Sequence, residues 1–215
     1  MTAMEETFTG IVRDRAWWSE ESASGVGSEL EQTRHLRREL PLLLAELNIS
    51  SLCDVPCGDF NWMQHVDLGS VRYVGGDIVR SLVADNSRRF GTVGREFKYL
   101  DVTTSDLPEV DAVLCRDCLV HLPLADIFGA LRNICRSGAR YLMTTTFSYR
   151  SLPANQDCNV GDWRRLNFEL PPFHFPPPQR LLIEGTTEAN GEYTDKSLGV
   201  WAVSQIRARV SESFG

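Results

Sequence analysis

Three acidic residues with a regular spacing are the part of this sequence best suited to chemistry. Asp54, Asp77 and Asp101 each stand at or just after the end of an apolar, strand-like stretch, and they are 23 and 24 residues apart. This spacing corresponds to one strand and one helix, so the three carboxylates are expected at one edge of a parallel sheet, where open α/β sheets bind ligands. A carboxylate at the end of the second strand suits a ribose, because it can accept hydrogen bonds from both hydroxyls.

The first of these carboxylates leads into a tight turn. The segment Ser51 to Phe60 reads SLCDVPCGDF, which predicts a buried strand over Ser51–Val55, a turn, and a helix that opens near Asn61. A strand-to-helix turn directs free backbone N–H groups at a ligand above it. With Asp54 beside it, the turn suits an anionic or zwitterionic ligand that carries an amino group. The G-x-G-x-x-G pattern of dinucleotide-binding proteins is absent.

Two further candidates follow the fourth predicted strand. Asp117 and His121 are four residues apart, so a helical turn places them on one side. Either side chain can remove a proton from a reacting hydroxyl or ammonium. The alternative interpretations are an aspartate that caps the next helix and a histidine that begins it and packs against a ligand.

The elements that position these residues alternate along the chain. The predicted strands are Ser51–Val55, Val71–Ile78, Glu96–Leu100, Asp111–Arg116 and Ala139–Phe147, and the predicted helices are Asn61–Val66, Arg80–Phe90 and one from Leu124 to Ser137-Gly138. Five apolar strands separated by helices predict an α/β fold with a parallel sheet covered on both faces. Two late strands, Arg180–Glu184 and Leu198–Arg207, predict an antiparallel pair at the sheet edge.

The N-terminal segment is expected to cover the sheet. Residues 1–24 are predicted to be irregular, with Trp17-Trp18 serving either as a packed strap or as a lid over a pocket. Ser28 and Glu31 form a capping-box pattern, so a helix is predicted to begin there and to kink or divide at Pro41. The glycine turn before that helix is interpreted either as a simple turn or as a site for a carboxylate.

A proline-rich aromatic segment follows the fifth strand. Residues 148 to 179 hold six of the ten prolines. We interpret its part from Gly161 to Pro176 as a substrate wall. There Trp163 and Phe173 would stack on a ring or sugar, Arg164 or Arg165 would pair with a carboxylate or phosphate, and His174 would be a second base. The alternative is a proline-stiffened cover that closes the sheet.

The bulk composition limits the function classes. A chain of 215 residues with 42% hydrophobic residues predicts one domain, divided into 1–47, 48–147, 148–180 and 181–215. The net charge of -7 and the lack of a Lys/Arg run argue against a nucleic-acid partner. No apolar run approaches the roughly 18 residues of a membrane span, and no signal-peptide pattern is seen.

Six cysteines in this context predict reduced thiols and a cytoplasmic protein. The oligomeric state is not predicted.

One cysteine pair, Cys115 and Cys118, has C-x-x-C spacing. A redox motif requires an exposed helix N-terminus, and a zinc site requires two further ligands. Cys115 lies inside a predicted buried strand, so the pair is interpreted as structural and no metal site is expected.

Together these motifs resemble those of the class I (Rossmann-like) S-adenosylmethionine-dependent methyltransferases. The resemblance spans about Leu47 to Phe147 and the terminal strands. The matching stretches are Leu52–Asp59, Tyr73–Ile78, Asp101-Val102, Asp111–Leu114 with Asp117–Pro123, and Gly138–Phe147. It implies a seven-stranded, mostly parallel sheet with an antiparallel last strand and helices on both faces. The sequence departs from the family pattern at the glycine turn, where Pro56 and Phe60 replace the outer two glycines.

The resemblance also implies how a bound S-adenosylmethionine would be held. Asp54 and Gly58 would line its methionine end, and Cys57 belongs to the same turn. Asp77 would hold the ribose and Ile78 would lie against the adenine. Asp101 and the backbone N–H of Val102 would bind the adenine edge, and Arg116 and Asp117 would lie nearest the sulfonium.

The expected activity is therefore transfer of a methyl group to a small molecule, with S-adenosylhomocysteine as the product. A hydroxyl or carboxyl oxygen is favoured as the acceptor. The alternatives are an N-methyltransferase acting on an amine or peptide, and a partner subunit that binds the cofactor without catalysis. Neither nucleic acid nor a membrane is expected as a partner.

Overall fold

The computed structural model describes residues 1–148 and 154–212. Residues 149–153 of the predicted insertion, and 213–215 of the predicted terminal segment, lie outside the described residues.

The core is a seven-stranded sheet. Its strands are β1 (Ser51–Asp54), β2 (Arg72–Asp77), β3 (Arg95–Tyr99), β4 (Ala112–Cys115), β5 (Tyr141–Phe147), β6 (Arg180–Ile183) and β7 (Lys196–Ala202). Their order is β3-β2-β1-β4-β5-β7-β6, and only β7 runs antiparallel to its neighbours. The predicted fold class is thus confirmed. The strand order reverses between β1 and β4, and such switch points are where open α/β sheets bind ligands.

Helices cover both faces of the sheet. They are α1 (Ala3–Asp14), α2 (Arg34–Glu46), α3 (Arg80–Phe90), α4 (Leu124–Arg136), the single turn α5 (Glu188–Gly191) and α6 (Val203–Glu212). Strand residues alternate between the two faces, as period-2 geometry requires. Leu52 and Leu114 belong to the core that contains α2, whereas Cys53 and Val113 belong to the core that contains α4 and α6. Burial on both faces explains why these strands read as nearly continuous apolar runs.

The N-terminal segment is a helix rather than irregular chain. The hydroxyl of Thr2 accepts the Glu5 N–H at 3.2 Å and caps α1. Met4, Phe8 and Val12 lie four residues apart on one face of it. The T-x-x-E pattern and this spacing are both sequence signals of a helix, and the prediction missed them.

The second helix begins later than the capping box indicated. Ser28 ends a short 3₁₀ turn, Val26–Ser28, and α2 begins at Arg34. Pro41 lies inside one continuous helix, so the predicted division is wrong. Four leucines of this helix, Leu36, Leu40, Leu43 and Leu44, are buried, and their packing outweighs the loss of one backbone donor.

Two other boundaries differ from the prediction. The helix expected over Asn61–Val66 is only a 3₁₀ turn, Met63–His65. The last strand ends at Ala202 rather than Arg207, and α6 begins at once. Val203, Ile206 and Val210 are buried at helical spacing against the α4 side of the core, which is why the chain turns into a helix there. Within the described residues, no helix is both long and apolar enough to cross a membrane.

Candidate functional site

A pocket opens at the carboxyl ends of β1, β2 and β4, beneath α1. It holds about 930 Å³ of empty space, part of it open to solvent. Ten residues singled out from the sequence all line it: Asp54, Cys57, Gly58, Asp77, Ile78, Asp101, Val102, Arg116, Asp117 and His121. The fold therefore brings the predicted cofactor-binding and catalytic sets to one place.

The turn after β1 is fixed by hydrogen bonds within the protein. The Asp77 carboxylate accepts the backbone N–H of Gly58 at 2.9 Å and that of Val79 at 2.8 Å. The side-chain amide of Asn86 donates to the Gly58 carbonyl at 2.8 Å. Gly58 has a φ of 56°, and a Cβ there would lie 2.1 Å from the Ser24 hydroxyl oxygen. Only glycine fits this position, so the turn keeps one glycine even though Pro56 and Phe60 stand at the outer positions.

Two of the strand-end carboxylates have raised pKa values. Burial raises the pKa of Asp54 to about 7, although the Tyr73 hydroxyl, which donates to it at 2.6 Å, opposes the shift. Burial likewise raises the pKa of Asp77 to about 6, against the hydrogen bonds from the Val79 and Gly58 N–H groups. A cationic group brought beside Asp54 would favour its ionised form. The site is therefore prepared for a ligand with a positive charge at this point.

The third carboxylate lies on a short polar loop. One oxygen of Asp101 accepts the N–H and the hydroxyl of Thr103, at 2.8 and 2.6 Å. Asn133 on α4 donates to the Val102 carbonyl at 2.9 Å and holds the loop against the helix. The pocket wall around the loop is apolar, formed by Ile78, Leu82, Leu100 and Val102 among others. A flat apolar wall next to a carboxylate suits a purine ring.

The end of β4 carries a buried ion pair. Arg116 donates to both carboxylate oxygens of Glu184, the shorter distance being 2.6 Å, and to the Gly27 carbonyl at 2.9 Å. Its guanidinium also lies over the Trp62 ring, 5.3 Å from the centroid. Arg116 therefore joins the floor of the pocket to the glycine turn of residues 25–28.

Asp117 belongs to a second buried cluster of charges. Lys196 on β7 donates to Asp117 at 2.7 Å and to Glu188 at 2.9 Å. Burial by itself would raise the pKa of Asp117, but Lys196 and Arg116 outweigh that effect and lower it to about 2. Asp117 is therefore a stable anion and a weak base at neutral pH.

His121 has the properties of a neutral base. Its Nδ1 donates to the Asp162 carbonyl at 2.9 Å, which leaves Nε2 without a proton in the neutral ring. Burial lowers the pKa of His121 from its usual 6.5, although the Asp162 carbonyl opposes the shift. The imidazole stacks on the Trp17 indole with ring centroids 4.7 Å apart. Of the two candidates named from the sequence, His121 is the better suited to accept a proton.

A cover made of α1 and the segment after it lies across the pocket mouth. At one end, Glu5 pairs with Arg80 at 2.9 Å and accepts from the Tyr99 hydroxyl at 3.2 Å. Towards its other end, α1 packs closely on Gly161, whose N–H donates to the His121 carbonyl. The cover thus runs from the end of β3 to the candidate base.

The segment after α1 is attached to the turn below it. The Asp59 carboxylate accepts the Ser22 hydroxyl, the Ala23 N–H and the Ser24 hydroxyl at 2.7 to 3.2 Å. Trp17 lines the pocket, whereas the side chain of Trp18 is 89% exposed. Trp17 therefore lies where a lid would lie, and Trp18 does not.

The predicted substrate wall is not formed around this pocket. Trp163, Arg164, Phe173 and His174 are not among its lining residues. Phe173 is 1% exposed within an aromatic core, Trp163 packs on Tyr193, and His174 lies exposed. Arg164 donates to the carbonyls of Leu119 and Leu122. These hydrogen bonds fix the 3₁₀ turn Leu119–His121, and the described part of the proline-rich segment buries Phe168, Phe173 and Phe175 in the core.

The cysteine pair contributes thiols to the same region. Cys115 is buried and its pKa is raised, by a hydrogen bond with Cys118 and by burial. All six cysteines are free. No three His, Cys, Asp or Glu side chains in the described parts of the chain are grouped so that they could hold a metal ion.

Comparison with known proteins shows the fold. No protein-family model matches the chain, and no curated protein matches its sequence. Among solved structures, a Burkholderia thailandensis 1,6-didemethyltoxoflavin-N1-methyltransferase with bound S-adenosylhomocysteine is 17% identical, with a TM-score of 0.59, over 91% of this chain and 85% of that one. The methyltransferase domain of bacterial CtHen1 is 16% identical, with a TM-score of 0.57, over 81% of this chain and 100% of that one. The N-methyltransferase NodS of Bradyrhizobium japonicum is 16% identical, with a TM-score of 0.51, over 66% and 73%. The chain therefore has the class I methyltransferase fold.

Proposed function

We propose that this chain, which has the class I methyltransferase fold, is itself an S-adenosylmethionine-dependent methyltransferase that acts on a small molecule. The observation that carries the proposal is the convergence of Asp54, Asp77 and Asp101 on one pocket, next to the turn at Gly58 and at the point where the strand order reverses. Three carboxylates and a backbone turn match the amino, ribose and adenine groups of this cofactor.

The residues present fit the proposed cofactor. Asp54, whose pKa is raised to about 7, would pair with the amino group of the methionine end. Each oxygen of Asp77 accepts one N–H already, and since a carboxylate oxygen has two acceptor sites, each can also accept a ribose hydroxyl. Asp101 and Val102 would hold the adenine edge, with Ile78 against the ring. Cys57, Gly58 and Arg116 complete the proposed binding set.

The chemistry requires alignment and the removal of a proton. The bound cofactor supplies an electrophilic methyl group on a sulfonium. The protein's residues exclude water from the pocket, align the acceptor and hold its proton. Alignment alone supplies several kcal/mol of rate enhancement. The Nε2 atom of His121 would accept the proton of a hydroxyl, and Asp117 would keep a fixed negative charge beside it. A cytoplasmic location belongs to this proposal and is supported by the six free thiols.

The acceptor atom separates two versions of the proposal. A hydroxyl or carboxyl oxygen is our first choice, and a neutral His121 suits a hydroxyl. An amine nitrogen is the second, because two of the solved structures with this fold are named as N-methyltransferases. The alternative to both is a partner subunit that binds the cofactor without turnover.

Calorimetry and a labelled methyl donor test these versions. Titration with S-adenosylmethionine and with S-adenosylhomocysteine should show binding of both. If neither compound gave a heat of binding, the proposal would be overturned. Incubation with methyl-labelled cofactor and a metabolite panel, followed by mass spectrometry, should show a labelled product and its O- or N-linkage. Binding without labelled product across hydroxyl, carboxyl and amine acceptors would favour the non-catalytic subunit.

A further inference from the structure

A planar side chain of the protein lies against the candidate base at the mouth of the pocket. The Trp17 indole stacks on the His121 imidazole with centroids 4.7 Å apart and planes 28° apart. The Phe8 ring packs on the same indole, with ring centroids 6.2 Å apart. Trp17 is half-buried and its Cβ packs against Gly25, where a side chain would come within 2.9 Å of it. The position beside His121 is thus shaped to hold a flat ring.

The charged groups nearest this position already have partners within the protein. Asp117 accepts from Lys196 and Arg116 pairs with Glu184, so neither offers a free charge to an acceptor. Apolar side chains, Phe8, Val12 and Leu122 among them, line the same pocket. A charged acceptor would have to disrupt a buried ion pair, whereas a neutral aromatic one would only replace an indole.

Trp17 lies in a short part of the cover between two attachment points. It follows the end of α1 at Asp14 and precedes the Asp59 attachment at Ser22. Arg15 and Trp18, on either side of it, have left-handed φ values of 49° and 50°, so the chain here is a series of turns. The Glu5–Arg80 pair and the Asp59 hydrogen bonds lie outside these turns, so displacement of the indole does not require that they break.

We propose that Trp17 holds the place of the acceptor, which is a neutral, planar aromatic or heteroaromatic molecule bearing a hydroxyl or ring N–H. Its ring replaces the indole against His121, and the displaced Trp17 turns towards solvent. This inference rests on the proposed function for its biological meaning. The binding event itself requires no methyl transfer.

Fluorine NMR of the full chain labelled with 5-fluorotryptophan tests this directly. The chain has five tryptophans, and Trp17→Phe identifies the resonance of interest. The probes are 2-naphthol and its saturated counterpart decahydro-2-naphthol, each added with and without S-adenosylhomocysteine. The planar probe should shift the Trp17 resonance towards that of an exposed tryptophan and leave the Trp201 resonance unchanged, whereas the saturated probe should not. Equal shifts with both probes, or no shift with either, would overturn the inference.

Two further comparisons test whether Trp17 competes with the acceptor and whether the acceptor is neutral. Trp17→Ala should bind 2-naphthol roughly tenfold more tightly, because the internal competitor is removed, and Trp18→Ala should bind it like the natural chain. Weaker binding by Trp17→Ala would mean that Trp17 is a fixed wall and would overturn the inference. Stronger binding of 2-naphthoate than of 2-naphthol would overturn the neutral acceptor. All these results are independent of calorimetry with the cofactor, so the two proposals can fail separately.

Discussion

The Asp77 carboxylate accepts the backbone N–H of Gly58 at 2.9 Å and so joins the end of β2 to the turn after β1. Its second oxygen accepts the N–H of Val79 at the start of α3. One buried side chain thus shapes the turn, orients the helix start and, in the proposed function, holds the ribose. Ligand affinity and local structure should both depend on it.

Substitution of Asp77 should weaken cofactor binding. Asp77→Asn keeps one acceptor oxygen for the turn but loses the charge and the second acceptor, so we expect roughly a tenfold to hundredfold loss of S-adenosylhomocysteine affinity. Asp77→Ala should lose more. Titration calorimetry measures both, with Asp106→Asn, an exposed carboxylate on a loop, as the matched control. An Asp77→Asn protein that binds as tightly as the natural chain would remove Asp77 from the ribose role.

Asp54 should make stability depend on pH in the ligand-free protein. Its pKa is about 7 when folded and about 3.9 when unfolded, so the folded state binds the extra proton between these values. The stabilising contribution is present below about pH 4 and is lost as pH rises through 7. The unfolding free energy of the natural chain minus that of Asp54→Asn should therefore fall by roughly 2–4 kcal/mol from pH 4 to pH 7 and then level off.

Urea denaturation at several pH values measures this difference. The asparagine can still accept from the Tyr73 hydroxyl, so the two proteins differ mainly in charge. Asp106→Asn, which alters an exposed carboxylate on a loop, is measured alongside as the control. A difference that rises with pH in the Asp54 pair would contradict the raised pKa.

The sheet and the cofactor side of the pocket could be predicted because their signals are local. Strands buried on both faces give apolar runs, and a parallel strand–helix unit has a nearly fixed length, so the spacing of Asp54, Asp77 and Asp101 determines where they meet. The helix α1 also has local signals, the Thr2–Glu5 pattern among them, which the prediction of an irregular segment missed.

The contacts around Asp117 and His121 could not be predicted because they join residues distant in sequence. Lys196 reaches Asp117 across 79 residues through the antiparallel pairing of β5 with β7. Trp17 meets His121 only because α1 crosses the pocket mouth. Arg164 donates to carbonyl groups of a turn. Nothing in the residues beside Arg164 distinguishes this role from substrate binding.

The chain's two lysines should differ sharply in their contribution to stability. The Lys196 side chain is 5% exposed and pairs with Asp117 and Glu188, whereas the Lys98 side chain is 50% exposed and pairs with Glu96. Lys196→Met removes the buried cation that Asp117 and Glu188 share, and Asp117 keeps only Arg116, 3.3 Å away, so the loss should be about 3–5 kcal/mol of unfolding free energy. Lys98→Met should cost between about 0 and 1 kcal/mol.

Urea denaturation at neutral pH compares the two lysine variants. The loss in Lys196→Met should shrink at low pH, where protonation neutralises the stranded carboxylates. Equal losses in both variants would show that the Lys196 cluster contributes no more than a surface pair.

His121 should control turnover without controlling cofactor affinity. Its Nδ1 is bound to the Asp162 carbonyl and burial lowers its pKa, so the ring is neutral at pH 7 and Nε2 can accept a proton. His121→Gln should lower kcat by roughly 10²–10⁴-fold with the acceptor found in the panel, since general-base catalysis has this magnitude. S-adenosylhomocysteine binding should stay unchanged.

The pH profile distinguishes a base from a packing residue at this position. Because the base must be unprotonated, kcat/KM of the natural chain should rise with pH through a pKa below 6.5 and then level off, and this limb should vanish in His121→Gln. His174→Gln, which alters an exposed histidine, should keep both the rate and the limb. A limb that persists in His121→Gln would assign proton removal to another group.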